Sequence, residues 1–335
     1  MATIADVARA AGVSIATVSR VLSPGAVPHP VRADTAERVR EAARRLNFIP
    51  SPLARGLAAR RSGLIGLIVP DLADPHYPQI AAGVEDRARD TQMAVLICNT
   101  LGELDRLADY LQVLQARRVD AIVLSGATSL NPVELQVLRH GEVPMVLIGR
   151  PAIQVAWPHV SIDNRHGARL ATRHLVEIGC RRIVHLGGPR TQTTMADRLV
   201  GYLEEMGTPT AETIESNGTP EDGYARLRRR LEREPAPDGV FAATDRLAVA
   251  ALAVAADRSL HVPHDLAVVG FDDIPLAAQL RPGLSSVSQP ARELGSVAAE
   301  MAQRLAAGEL VESALLLPHL VTRASTLGPG GRFMA

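Results

Sequence analysis

Two hydrophobic periods divide the chain. Over residues 3–46 apolar positions recur at helical spacing. Ile4, Val7 and Ala8 line one face of a first helix, and Val18 and Val21 point back at it from a second. Gly12 sits between them, where the chain must reverse, and glycine takes positive φ without steric cost. Ser14, two residues on, stands at an N-cap position, where its hydroxyl can accept a free backbone N–H. Ile15, Ala16, Ser19 and Arg20 then point outward. Residues 23–32, SPGAVPHPVR, hold three prolines and a glycine and read as a loop. Val39, Ala42, Ala43 and Leu46 mark the buried face of a third helix over 34–46, opened by a capping box of Asp34 and Glu37. A three-helix core this small is marginal alone.

From Leu64 the period changes. The run 64–70, LIGLIVP, is wholly apolar, as a parallel strand buried on both faces requires. Similar runs at 93–99, 120–126 and 144–149 alternate with helical stretches, and the pattern restarts after Asn164 with strands at 182–188, 212–216, 239–244 and 266–272. Strands alternating with helices mean parallel sheets of right-handed crossovers. The fold class expected is therefore α/β: a three-helix head, a short linker and two doubly wound lobes. Boundaries fall at 1–50, 51–62 and 63–335. The first lobe spans about 63–160 with 290–316, the second about 161–289 with 317–328, and segments near 159–163, 286–290 and 316–321 cross between them.

Charge sharpens this division. The chain is neutral overall, yet residues 1–62 hold ten Arg against four acidic residues, a net of +6, leaving 26 Arg against 32 acids, a net of −6, in the remainder. A basic head on an acidic body points to a polyanion partner for the head alone. All 36 basic residues are Arg, which reads as a genomic composition bias. Cys98 and Cys180 lie far apart in apolar settings and read as free thiols of a cytoplasmic protein. No signal peptide and no apolar run of 18 residues is present, so neither secretion nor a membrane partner is expected.

Doubly wound sheets bind ligands outside the carboxyl ends of their strands. Asp71, Asn99, Thr100, Thr244, Asp245, Asp272 and Asp273 stand at such ends, and 74–77 (DPHY) follows the first strand closely. No GxGxxG or P-loop opens either lobe, no metal spacing such as HExxH occurs, and no nucleophile triad is legible. No cofactor, no metal site and no catalysis are expected. The adjacent Asp272 and Asp273 point apart and read as ligand grip or helix start.

The segment 3–22, TIADVARAAGVSIATVSRVL, has the layout of a helix-turn-helix, and its A-D-V-A…A-G-V-S…T-V-S-R-V-L pattern resembles the DNA-binding head of the lactose/galactose-repressor family. The resemblance extends into the body through SIDNRHGARLATRHLVEIG, DRLVGY, ATDRLAVAAL and VVGFDDIPLA, which look like the family's effector domain, related to periplasmic sugar-binding proteins. The loop at 23–32 is about three residues longer than the family's usual link. The resemblance implies that residues 51–61 are a hinge helix that folds on DNA, with Leu57 as the minor-groove wedge and Ala54 and Arg55 matching its neighbours. Such a wedge costs unstacking energy, offset by the contacts of bent DNA, and Gly56 weakens the isolated helix. It also implies ligand contacts at His76, Tyr77, Asp163, Thr194, Arg198, Thr244 and Asp272, to which Asp71 and Gln192 are added. Gln192 stands where some members carry a ligand-gripping arginine, and Gly218 or Thr219 where some carry a stacking aromatic. A neutral sugar or polyol fits this set better than an anionic or ring-stacked effector.

The expected protein is a homodimeric transcription regulator, a repressor, that reads a palindromic operator in double-stranded DNA. Arg20 would contact guanine bidentately, Ile15 and Ala16 would meet thymine methyls beside Ser19, and Thr3, Ser14 and Thr17 would hold phosphates. The competing reading is a cytosolic sugar-binding or sugar-processing protein whose head serves oligomerisation. The basic head and the outward Arg20 argue against it.

Overall fold

The computed structural model describes residues 2–22, 31–48, 62–129, 132–139, 141–207, 211–233 and 235–327. The expected hinge positions Ala54, Arg55 and Leu57 and most of the 23–32 loop lie outside the described residues. Two compact units emerge, Met1–Gly63 with Arg117–Asp120 and Leu64–Ala116 with Ala121–Ala335.

In the first unit α1 (Ile4–Ala11), α2 (Ile15–Leu22) and α3 (Ala33–Arg45) enclose Val7, Ala8, Ala11, Val18, Val39, Ala42 and Ala43. Gly12 ends α1 in the left-handed region at φ 65°, and the Thr17 amide donates to Ser14 Oγ at 3.1 Å, so the turn and cap form as the sequence predicts. The capping box lies elsewhere than expected. It joins Thr3 and Asp6 at the start of α1, where the Asp6 amide donates to Thr3 Oγ1 and the Thr3 amide to Asp6 Oδ2 at 2.9 Å. At α3 the helix begins one residue before Asp34, and its N-cap, Arg32, makes no side-chain cap. Asp34 is thus already inside the first turn, where it takes the Thr35 amide at 2.7 Å, and Glu37 turns to Arg40 and Arg44.

The second unit holds two six-stranded sheets. The first contains β1 (Leu64–Val69), β2 (Ala94–Asn99), β3 (Ala121–Ser125), β4 (Met145–Ile148), β5 (His159–Ile162) and β11 (Ala314–Leu316), in the order β11-β5-β4-β3-β1-β2. The second contains β6 (Ile183–Gly187), β7 (Glu212–Glu215), β8 (Gly239–Ala242), β9 (Ala267–Asp272), β10 (Ser285–Ser288) and β12 (His319–Val321), in the order β12-β10-β9-β8-β6-β7. The two windings match strand for strand. They differ at the last strand, where β11 runs parallel to β5 and β12 antiparallel to β10.

Helices cover the faces: α4 (His76–Asp90), α5 (Leu104–Ala116), α6 (Pro132–Arg139) and α11 (Ala291–Ala306) on the first sheet; α7 (Asn164–Glu177), α8 (Thr193–Met206), α9 (Pro220–Arg230) and α10 (Asp245–Asp257) on the second. The chain crosses between lobes at Asp163, at 289–290 and at 317–318. One core gathers Ile65, Leu67, Val123 and Val146 under α4 and α11. The second lobe carries two, one around Val184, Val240 and Val268, the other around Tyr202, Phe241 and Phe271. Gly83 on α4 and Gly295 on α11 let those helices touch: a Cβ at Gly83 would lie 1.9 Å from the Arg292 carbonyl oxygen, and one at Gly295 2.1 Å from that of Ile80.

Candidate functional site

On α2 the residues divide by face. Val18 is fully buried against α1 and α3, while Ile15, Ala16, Ser19 and Arg20 are exposed together, Ile15 at 51%. An exposed isoleucine beside an exposed arginine has no packing reason among the described residues of this unit. Thr3 and Ser14 are also exposed and already serve as helix caps, with Ser14 Oγ 2.9 Å from Thr17 Oγ1. Cap groups at helix starts leave backbone N–H groups and hydroxyls where phosphates can be met.

Between the lobes of the second unit lies a cleft of about 300 Å³. It opens at the carboxyl ends of both sheets. Pro70 and Asp71 follow β1, Ser125 and Gly126 end β3, Gly149 follows β4, and Ser161 and Asn164 flank the end of β5. From the second lobe come Gln192, Thr194 and Arg198 around the start of α8, Asn217 after β7, Thr244 after β8, Asp272 at the end of β9 and Gln289 after β10. Asp71, His76, Tyr77, Gln192, Thr194, Arg198, Thr244 and Asp272 all line this space, as the sequence places them. A larger opening, about 440 Å³, lies under the 150–158 connection and holds none of them.

Asp163 is the exception. Its Oδ1 accepts the His166 amide at 2.8 Å and caps α7, and it does not line the cleft; its neighbour Asn164 does. Asn99, Thr100 and Asp245, also at strand ends, stay outside the lining. Thr100 is buried with its hydroxyl near the Val69 carbonyl, and Asp245 is fully buried, accepting from Ser286 Oγ at 2.6 Å and the Ile274 amide at 2.8 Å. Thr244 does both jobs: it lines the cleft and caps α10, accepting the Leu247 amide at 3.2 Å.

Arg198 forms the floor. It is 3% exposed, its Nε donates to Asn164 Oδ1 at 2.9 Å, and Nη1 donates to the Ala243 carbonyl and lies 3.5 Å from Asp272 Oδ1. The guanidinium carbon sits 3.7 Å above the centre of the Phe271 ring. A buried cation needs such a set of partners, since an unpaired buried charge is costly. Asp272 also accepts from Gln289 Nε2 at 2.5 Å. Burial raises its pKa, and the nearby Arg198 and His76 act in the other direction. Asp273, next in the chain, turns away to Arg323 at 2.8 Å, so the two carboxylates act apart.

Burial lowers the His76 pKa despite Asp272 and Asp74, which leaves a neutral imidazole edge-on to Tyr77, with ring centres 5.5 Å apart. Burial raises the Tyr77 pKa, so its phenol stays protonated. Arg246, the cleft's second cation, is held 3.3 Å from Asp74. Both cations thus already face carboxylates, and the rest of the lining adds the Asp71 carboxylate, hydroxyl, amide and neutral imidazole groups, and apolar side chains such as Met195 and Leu294. That lining suits a ligand rich in hydroxyls: Arg198 supplies donors, Asp272 an acceptor, and Tyr77 an apolar face. Asn164, Ser125, Ser161 and Gln289 were not singled out from the sequence. Asn164 and Gln289 follow β5 and β10, short strands that the sequence marked only as lobe crossings, and the serines look like ordinary strand residues.

Comparison with known proteins gives a consistent result. Residues 3–51 match the family described as bacterial regulatory proteins, lacI family, and residues 172–326 match a periplasmic binding protein-like domain. A ribose operon repressor of Halalkalibacterium halodurans is 38% identical over 304 residues, covering 90% of this chain and 89% of that protein. Among solved structures, a lac repressor dimer bound to operator and the anti-inducer ONPF superposes with a TM-score of 0.84 at 28% identity, covering 98% of this chain and 99% of that one. A complex of the transcriptional regulator CelR with cellobiose gives a TM-score of 0.71 at 32% identity over 97% and 100%.

Proposed function

The chain belongs to the lacI family of bacterial regulatory proteins and is a DNA-binding transcription regulator, and from that premise we propose a homodimeric repressor whose operator affinity is set by a neutral sugar held on Arg198 and Asp272. The observation that carries the DNA half is the exposed face of α2, with Arg20 beside Ile15, Ala16 and Ser19 over the buried Val18. Arg20 reads guanine, the apolar pair meets thymine methyls, and Thr3, Ser14 and Thr17 set register on phosphates. Two copies place their recognition helices about 34 Å apart on a palindrome. The hinge at 51–62 wedges Leu57 into the minor groove between them, with Ala54 and Arg55 just before it.

The edge of the first sheet supports pairing with a second copy. Strand β2 is apolar from Ala94 to Cys98, Ile97 is 48% exposed, and Leu72, Leu101 and Val113 are exposed. An apolar edge strand invites pairing unless it is covered. On the ligand side, relatives named for ribose and cellobiose support a sugar as effector. The paired state of both cleft arginines favours a neutral sugar over a phosphorylated one.

The test is thermal unfolding of the full chain against free sugars and sugar phosphates. A ligand at 100 times its Kd adds about 2.7 kcal/mol. A hit among neutral sugars that is lost in Arg198→Met supports the reading. A hit confined to phosphorylated sugars overturns the neutral assignment.

A further inference from the structure

Strands β1 and β3 are neighbours at the point where the first sheet's winding reverses, paired from Ile65↔Ala121 to Ile68↔Leu124. Their carboxyl ends open on the effector cleft: Pro70 and Asp71 after β1, Ser125 and Gly126 at and after β3. The Ser125 hydroxyl is buried there with no hydrogen-bond partner among the described residues. Their amino ends begin together, directly after Gly63 and Asp120. At that end one carboxylate ties the two starts. Asp120 Oδ1 accepts the Ser62 amide at 2.7 Å and the Ser62 hydroxyl at 3.0 Å, and Oδ2 accepts the Gly63 amide at 3.0 Å. Gly63 sits in the left-handed region at φ 70°, so the chain bends where the carboxylate holds it.

We propose that Asp120 is a positioning residue for DNA binding: it fixes where the 51–62 segment leaves β1, and so carries a change at the cleft to the operator-binding parts. The inference rests on the reading above of that segment as a DNA-binding hinge. The physical case has three parts. Charge-assisted hydrogen bonds to both carboxylate oxygens fix direction as well as position. Parallel strands of five or six residues, five of them buried in each, span roughly 17–20 Å and shift as units rather than bending. A sugar that bonds Asp71 on one strand and Ser125 on the next biases their relative register, and the Asp120 clamp spans that same pair of strands.

The test uses full-length protein, a DNA sequence selected by the wild type from a random duplex pool, and bulk nonspecific DNA. Asp120→Ala removes three hydrogen bonds and Asp120→Asn keeps an acceptor for Ser62, which gives a graded pair. Asp120→Ala lowers affinity for the selected sequence by about tenfold or more, leaves nonspecific affinity and its salt slope unchanged, and speeds amide exchange at Ser62 and Gly63. Asp120→Asn falls between it and wild type. Sugar-dependent thermal stabilisation stays as in wild type, a result that general damage to the lobe would not give. Wild-type discrimination in Asp120→Ala overturns the proposal, and so does loss of sugar binding or of folding in both variants. If the wild type itself selects no sequence, the regulator reading fails, and this inference fails with it.

Discussion

Replacing Arg198 by methionine tests the floor of the cleft most sharply. The substitution keeps an unbranched apolar side chain over Phe271 and removes the guanidinium. Asn164 Oδ1 and the Ala243 carbonyl then lose a donor, and Asp272 loses the cation 3.5 Å away. Breaking a buried charge pair from one side costs about 3–5 kcal/mol, and each bare acceptor about 1–3 kcal/mol. These contributions overlap, because Asp272 can take up a proton instead of staying ionised. We therefore expect a loss of about 3–5 kcal/mol near pH 8.

The sign of the pH dependence follows from Asp272. Burial already raises its folded pKa above the unfolded value, and removing Arg198 raises it further. Between the two values the folded state binds more protons than the unfolded one, so the variant's stability falls as pH rises. Its deficit against wild type therefore grows as pH rises and shrinks as pH falls. The double variant Arg198→Met/Asp272→Asn removes the buried charge and recovers much of the loss at pH 8, while neither variant is stabilised by sugar. Urea unfolding followed by far-ultraviolet circular dichroism measures all three. A deficit below about 1 kcal/mol, or one independent of pH, would refute the argument that Arg198 neutralises Asp272.

Arg20→Ala abolishes preference for the selected DNA and leaves weak, salt-sensitive binding to any duplex; a competition gel shift with unaltered preference removes Arg20 from base recognition. Leu57→Ala lowers operator affinity through reduced bending, and a phasing assay that finds wild-type bending counts against the wedge. His185 is buried between Tyr202 and Phe241 with neither ring nitrogen bonded among the described residues, and burial pushes its pKa down to about 3. Its folded pKa lies below the unfolded value, so the stability it contributes is present above about pH 6.5 and lost as pH falls toward 3. Wild type therefore loses about 2 kcal/mol more than His185→Phe between pH 7.5 and pH 5, and parallel stability–pH curves for the two would sink this assignment.

The sequence was most legible where one local rule decides the outcome. Gly12 and Ser14 fix a turn and a cap within three residues, and Val18 against Ile15 and Arg20 gives the helix two faces. The apolar runs marked the strands but not which of them are buried, since the run at 93–99 forms the edge strand β2, where Ile97 is 48% exposed. Strand ends located the cleft, since a doubly wound sheet allows ligands only there. Legibility failed where a residue's role depends on a one-residue shift or on a distant partner. Asp34 and Glu37 satisfied a capping pattern, but α3 starts a residue early. Asp163 and Asn164 are adjacent, and only the fold decides that the first caps α7 while the second reaches Arg198. Asp245 resembles Asp272 in sequence position, yet β9 and β10 close over it. Asp120 gave no signal at all, because its partners lie 57 and 58 residues away.

The central claim is that one small molecule in the cleft sets DNA affinity. Its most direct measurement is the affinity of the full-length protein for its selected DNA sequence, titrated with the sugar that stabilises it, beside Arg198→Met. The account predicts that this sugar changes wild-type affinity by tenfold or more, leaves Arg198→Met unchanged, and does not alter nonspecific binding. A sugar that binds the cleft and leaves specific DNA affinity the same, or a head that selects no sequence, would contradict it and favour a sugar-binding protein whose head serves assembly.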